Sequence, residues 1–137
     1  MRKELLKKAV DAALKVRKNA HAPYSGFAVG AAVLTRRGRI FTGVNVENSS
    51  FGATVCAERV ALFAAVAAGC RDIEAVVVAA VLEGRAVSPC GICRQTLADF
   101  NPAMKVLLVN ARSGKIEKET TVAALLPDRF SFDIPNP

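Results

Sequence analysis

Three cysteines and a glutamate, Cys56, Cys90, Cys93 and Glu58, are the residues whose types and spacing point most directly to chemistry. Cys90-Gly91-Ile92-Cys93 is a Cys-x-x-Cys pair, compatible by itself with a zinc site or a redox couple. Pro89 in front and Arg94-Gln95 behind place it at the start of a helix. Helix starts carry unpaired N–H groups and a partial positive charge, which lower thiol pKa values. Cys56-Ala57-Glu58-Arg59 shifts the balance toward a metal, because Cys56 also opens a helical stretch. Two helix N-termini can then converge on one ion. Three thiolates leave the fourth tetrahedral position of zinc open, as a catalytic site requires. Glu58, two residues from a ligand, is close enough to reach water at that position without ligating.

A zinc ion with three thiolates is net negative, so water beside it is a poorer acid than at a site with neutral ligands. The two helix dipoles withdraw part of that charge. Arg59 and Arg94 are expected to hydrogen-bond to the thiolates and withdraw more. The fourth cysteine, Cys70, follows Gly69 beyond the end of the helix that Cys56 opens. That helix is roughly 20 Å long at 1.5 Å per residue, which puts Cys70 far from the metal. Cys70 is read as a small buried apolar residue, and a structural four-cysteine site is disfavoured.

These groups need a scaffold. Residues 3–19 place Leu5, Leu6, Ala9, Val10, Ala13, Leu14 and Val16 at helical spacing among lysines and arginines, until Pro23, Ser25 and Gly26 break the pattern. Phe27–Thr35 and Arg39–Asn45 read as a strand hairpin turning at 36–38. A polar loop, 47–53, leads to an alanine-rich helix, Cys56–Ala68, stopped by Gly69. Further strands are expected at Ile73–Leu82, Met104–Val109 and Lys115–Glu119, and further helices at Gly91–Phe100 and Thr121–Leu126, followed by an irregular tail over 127–137. Helices alternating with apolar strands predict an α/β fold, a three-layer α/β/α sandwich around one mixed sheet of about five strands.

The bulk properties agree with one domain spanning 1–137. At 52% hydrophobic the chain can bury a real core, and with no Trp and one Tyr that core must be mostly Ala, Val and Leu. No apolar run is long enough to cross a bilayer, and the first residues lack a continuous apolar signal-peptide core, so a cytoplasmic protein is expected. The net charge of +7 raises the question of nucleic acid. The basic residues are spread, mostly over the polar face of the first helix, with no interleaved aromatics, so a basic surface is the simpler reading.

Cys56-Ala57-Glu58 followed by Pro89-Cys90-Gly91-Ile92-Cys93-Arg94-Gln95 is the three-cysteine form of the zinc deaminase signature. The sequence resembles the small homotetrameric cytidine deaminases over nearly its whole length, from Ala22-Pro23-Tyr24-Ser25 to Phe130. That resemblance implies the cytidine-deaminase-like sandwich, one Zn2+ per subunit and a homotetramer whose sites are completed by neighbouring subunits. It implies hydrolytic deamination of cytidine and 2′-deoxycytidine with release of ammonia, in pyrimidine salvage. Zinc acidifies water, and Glu58 acts as base and then acid, moving a proton to ring N3 and to the departing amine.

The resemblance also implies substrate contacts. Asn45 and Glu47 bind the ribose 3′-hydroxyl, Phe27 packs on the pyrimidine, and the Ala57 backbone contacts the base. Phe130 reaches a neighbouring subunit's site. Phe51 stands where many relatives have Tyr, so a sugar contact across the subunit boundary loses its hydroxyl. Without the resemblance, Asn45 and Glu47 would read as a polar loop start and Phe27 as core. Strand alternation does put Asn45 and Glu47 on one side, and Glu47 repels a 3′-phosphate, which favours a free nucleoside over a polynucleotide.

The alternatives divide by single features. A blasticidin-type antibiotic deaminase shares the metal motif but not the Asn45, Glu47, Asn48 set. A nucleic-acid editor usually has His as first ligand. A zinc-stabilised interaction module has no need of Glu58.

Overall fold

A computed structural model describes residues 2–132; residues 133–137 of the expected irregular tail lie outside the described residues. Helix α1 (Arg2–Val16) ends in a short 3-10 turn, Arg17–Asn19. Then come β1 (Gly30–Thr35), β2 (Ile40–Val44), α2 (Ala57–Ala67), β3 (Ile73–Ala80), α3 (Gly91–Phe100), β4 (Lys105–Asn110), β5 (Ile116–Thr121) and α4 (Val122–Leu125). The five strands form one sheet in the order β2-β1-β3-β4-β5. Only β3 and β4 run parallel, because α3 lies between them in sequence; the other pairs are antiparallel. This is the mixed five-stranded sheet flanked by helices that the sequence predicts.

Alternation along β3 divides the core. Val77 and Ala79 face α1 and pack with Ala9, Val10 and Ala13, whereas Val76 and Val78 face α2 and α3 and pack with Ala61, Leu62, Ala65 and Leu97. All these strand residues are buried, as a sheet covered on both faces demands. Edge strand β5 instead carries Glu117, Lys118 and Glu119 and is mostly exposed, charges that discourage pairing with another edge.

One expectation shifts. The first strand was expected from Phe27 but begins at Gly30. Residues 27–29 leave the ladder because the Asn45 side chain takes over their backbone groups. Its Oδ1 accepts from the Val29 N–H at 2.9 Å, and its Nδ2 donates to the Phe27 carbonyl at 2.7 Å.

Small residues set the spacing of helix and sheet. Ala57, Ala61 and Ala65 line the buried face of α2. Opposite them Gly43 lets the helix backbone press on β2. A Cβ at Gly43 would lie 2.6 Å from the Ala57 carbonyl oxygen and 2.9 Å from the Val60 carbonyl carbon, and would overlap the Ala61 nitrogen. Nothing there is a flexible side-chain end. Gly43→Ala is therefore expected to cost about 3 kcal/mol of stability by overpacking. It should also weaken zinc binding, since the turn displaced carries Cys56 and Glu58. Urea unfolding and a zinc titration of the variant check both.

The end of α2 disposes of Cys70. Gly69 takes φ +85°, its N–H donates to the Val66 carbonyl, and the Cys70 N–H donates to the Ala65 carbonyl. This is a Schellman motif with Cys70 as its apolar contact. Cys70 packs against the core at the far end of the helix from Cys56.

Candidate active site

The C-terminal ends of β2 and β3 point the same way, and the loops leaving them build the site. From β2 the chain runs through Asn45 and Glu47, pairs Val46 with Val55, and reaches α2. From β3 it runs through Val87 and Ser88 to α3. Open sheets with helical connections bind ligands at this end of their strands.

Cys56 and Cys90 are the N-cap residues of α2 and α3, both in extended backbone conformation. Cys93 lies one turn into α3 and is fully buried. Cys56 Sγ and Cys90 Sγ are 3.6 Å apart, and all three sulfurs lie within 4.8 Å of one another. Zinc–sulfur bonds of about 2.3 Å in tetrahedral array need sulfurs about 3.8 Å apart, so the spacing fits zinc. Neither N-cap sulfur accepts a capping hydrogen bond from its own helix. What the helices add is the field of their N-terminal ends.

Arg59 lies as expected. Its Nη2 is 3.7 Å from Cys56 Sγ and 3.4 Å from the Thr54 carbonyl. Burial works against its charge, but hydrogen bonding to the Cys56 and Cys93 sulfurs holds its pKa above the ordinary value. Its Nε is buried with no hydrogen-bond partner among the described residues, a donor suited to a more negative sulfur cluster. Arg94 lies elsewhere than expected. Among the described residues it donates to the Pro89 carbonyl at 2.8 Å, the Leu125 carbonyl at 3.0 Å and Ser88 Oγ at 3.0 Å. It faces away from the thiols because α4 offers it a free carbonyl, and it ties the Ser88–Pro89 loop to that helix end.

Protons are shared unevenly in this cluster. Cys56 is lowered to about 5, chiefly by the hydrogen bond from Cys93 and also by Arg59. Cys93 is raised, because it is the donor in that bond, is buried, and faces the Glu58 charge. A bound dication reverses the position of Cys93, since it takes thiolates as ligands.

Glu58 is only 4% exposed, and its pKa is raised to about 7, mainly by burial, with the Cys56 charge adding to it. A carboxyl raised in the fold binds a proton that the unfolded chain has already released between its ordinary pKa near 4.5 and about 7. Its contribution to stability is complete below 4.5 and is lost as pH rises through 7. In the zinc-free chain, Glu58→Gln should therefore gain stability relative to the unmodified protein between pH 5 and pH 8, by about 3 kcal/mol at most. Parallel urea titrations of the two proteins at the two pH values measure that difference.

A cavity of about 230 Å³ runs from Cys56, Ala57, Glu58 and Cys90 past Phe27 and Asn45 to Glu47. Glu47 Oε1 accepts from the Tyr24 N–H at 2.9 Å and the Ser25 N–H at 3.1 Å, and Oε2 accepts from the Ser25 hydroxyl. The Ser25 hydroxyl, above all, lowers the Glu47 pKa and keeps the group anionic. Asn45 is buried, both ends of its amide engaged by segment 27–29. Phe51 is 74% exposed and meets Tyr24 edge-on at 5.9 Å, beside an outer cleft that shares Glu47 and Thr54 with the main cavity. Phe130 does not line the cavity. It is exposed, packs edge-on against Phe132, and its carbonyl accepts from Gln95 Nε2 at 2.8 Å.

Thr54, Val55, Val87 and Ser88 also line the cavity and were not foreseen. The first two immediately precede Cys56 and the last two immediately precede Pro89-Cys90. Proximity to a ligand was the only signal for them.

Three converging thiols, a buried carboxyl beside them and an open cavity define a catalytic rather than a structural zinc site. The profile for the cytidine and deoxycytidylate deaminase zinc-binding region matches residues 3–110. A cytidine deaminase of Sporosarcina psychrophila is 50% identical over 127 residues, 92% of this chain and 91% of that protein. The crystal structure of a cytidine deaminase from Burkholderia pseudomallei superposes with a TM-score of 0.84 at 44% identity, covering 90% of this chain and 97% of that one. A blasticidin-S deaminase of Bacillus cereus is more distant, 36% identical over 110 residues, 75% of this chain and 76% of that protein. The chain belongs to the cytidine and deoxycytidylate deaminase family and is a zinc-dependent hydrolytic enzyme.

Proposed function

We propose that this protein converts cytidine and 2′-deoxycytidine to uridine and 2′-deoxyuridine, with water as co-substrate and ammonia as product. The carrying observation is the cavity itself, with a buried carboxyl at its thiol-lined end and a fixed anionic acceptor, Glu47, at the other. When bound by Cys56, Cys90 and Cys93, zinc supplies the acidification that makes water a nucleophile at neutral pH.

The chain's own residues do the rest. Glu58 accepts the water proton and delivers it to N3 as the oxygen adds to C4. It then takes the proton of the new C4 hydroxyl and passes it to the C4 amine, so that the C4–N bond breaks, the C4–oxygen double bond forms and ammonia leaves. Burial raises the Glu58 pKa above the ordinary carboxylate value, which helps a group that must take a proton from water before giving it up. Phe27 walls the pyrimidine, the Ala57 backbone contacts the base, and Glu47 with Asn45 receives the ribose 3′-hydroxyl. Glu47 is anionic, so a 3′-phosphate is repelled and free nucleosides are favoured over polymers.

The domain 1–137 acts as a homotetramer, with Phe51 and Phe130 serving neighbouring sites, in cytoplasmic pyrimidine salvage. The exposure of both rings supports that reading, and no helix among the described residues is long and apolar enough to cross a membrane.

The test incubates the zinc-loaded protein with cytidine, deoxycytidine, blasticidin S and a cytosine oligonucleotide while following ammonia release. Turnover of the first two is expected. Turnover of the antibiotic or the oligonucleotide alone would overturn the reading. Mass measurement in solution tests the tetramer.

A further inference from the structure

Segment 21–27 wraps the Glu47 side chain, and Ser25 is its centre. The Glu47 N–H donates to the His21 carbonyl at 2.8 Å, which anchors the residue's backbone. The loop closes on itself where the Gly26 N–H donates to the Ala22 carbonyl at 2.9 Å, with Gly26 at φ +70°. Two backbone donors then hold Glu47 Oε1, from Tyr24 and Ser25. Among the described residues, only the Ser25 hydroxyl holds Oε2.

The direction of that hydroxyl is itself fixed. Ser25 Oγ accepts from the Phe27 N–H at 3.0 Å. With a lone pair taken there, its single proton points at Glu47. A carboxylate held at one oxygen only can swing about that oxygen; held at both, its plane and its remaining lone pairs are set. Hydrogen bonds to a charged acceptor are the stronger kind, so a hydroxyl can hold the half-buried Glu47 carboxylate in place.

We infer that Ser25 is a positioning residue for the sugar subsite, orienting the Glu47 carboxylate toward the nucleoside 3′-hydroxyl through its Oε2 contact. The inference rests on the reading of Glu47 as the sugar acceptor. Ser25 lines the outer cleft beside Glu47 and not the cavity that holds Cys56, Cys90 and Glu58, so its effect falls on substrate binding rather than on the chemical step.

The experiment measures kcat and KM of the zinc-loaded protein on cytidine and on 3′-deoxycytidine. It compares Ser25→Ala, Ser25→Thr and Glu47→Gln, with thermal unfolding recorded for each. Ser25→Ala should raise KM for cytidine about tenfold with kcat changed less than about twofold, and change KM for 3′-deoxycytidine by less than about twofold. Ser25→Thr keeps the hydroxyl and should restore the KM for cytidine to within about twofold. If Glu47→Gln discriminates between the two nucleosides but Ser25→Ala harms both equally or harms neither, the inference alone is overturned. If Glu47→Gln itself fails to discriminate, the sugar reading of Glu47 fails, and the inference goes with it. A Ser25→Ala protein that unfolds early, with Ser25→Thr unable to restore KM, marks Ser25 as structural and also overturns it.

Discussion

Replacing Glu58 by glutamine is expected to leave zinc bound and lower kcat on cytidine by about three to four orders of magnitude. The substitution is nearly isosteric, and the site is closed around it, since Glu58 is 4% exposed. No cavity opens, and no thiol changes partner for want of space. What is lost is a titratable proton. An amide can neither accept the water proton nor return one to the leaving amine, so both halves of the reaction lose their shuttle. The environment sharpens the expectation. Burial disfavours the charged carboxylate, so the proton Glu58 takes up is not held off by solvation of its anion. Metal analysis, a binding measurement with cytidine and steady-state rates separate the outcomes. Full zinc occupancy and intact nucleoside binding with turnover gone is the expected result. Near-normal turnover would remove Glu58 from the proton path.

The second large effect is on the metal. Cys93→Ala should reduce zinc from about one per chain to near none after dialysis, and abolish turnover with it. Cys93 is fully buried one turn into α3, within 4.8 Å of the other two sulfurs, and no other cysteine can replace it. Cys70 is fixed at the opposite end of α2 by its Schellman motif. Two thiolates alone make a weak, incomplete site.

Because zinc binds the folded chain, its loss also removes linkage stabilisation, about 4 kcal/mol when zinc stands a thousandfold above its dissociation constant. A chelator should therefore lower the Tm of the unmodified protein and leave that of Cys93→Ala unchanged. If the variant instead keeps its zinc and its chelator sensitivity, the three-thiol assignment fails.

Much of this was legible along the chain because the signals are local. Helical spacing in residues 3–19 and the apolar run from Ile73 mark elements whose burial depends on their own sequence pattern. The metal motif is equally local. A Cys-x-x-Cys at one helix start and Cys-x-Glu at another set donor type, donor number and the adjacent carboxyl without reference to the rest of the fold. Arg59 follows for the same reason, one turn from Cys56 on the same helix.

The structure departs from that reading where a residue's partner lies far along the chain. Arg94 sits beside Cys93 in sequence but reaches Leu125, 31 residues away, and so braces a loop instead of a thiol. The strand expected from Phe27 starts at Gly30 because Asn45 captures the intervening backbone. Ser25 gains its position only when segment 21–27 folds over Glu47.

The sequence by itself therefore determined the three candidate thiols, the carboxyl beside them and the elements that present them, since each depends on residue type and near spacing. Tertiary structure alone decided how close the sulfurs stand, that Glu58 is buried so that its pKa is raised, and which side chains fix Glu47 at the other end of the cavity. Those properties arise from groups brought together across the sheet. Burial, field and hydrogen-bond geometry depend on distance in space, which spacing along a chain does not encode.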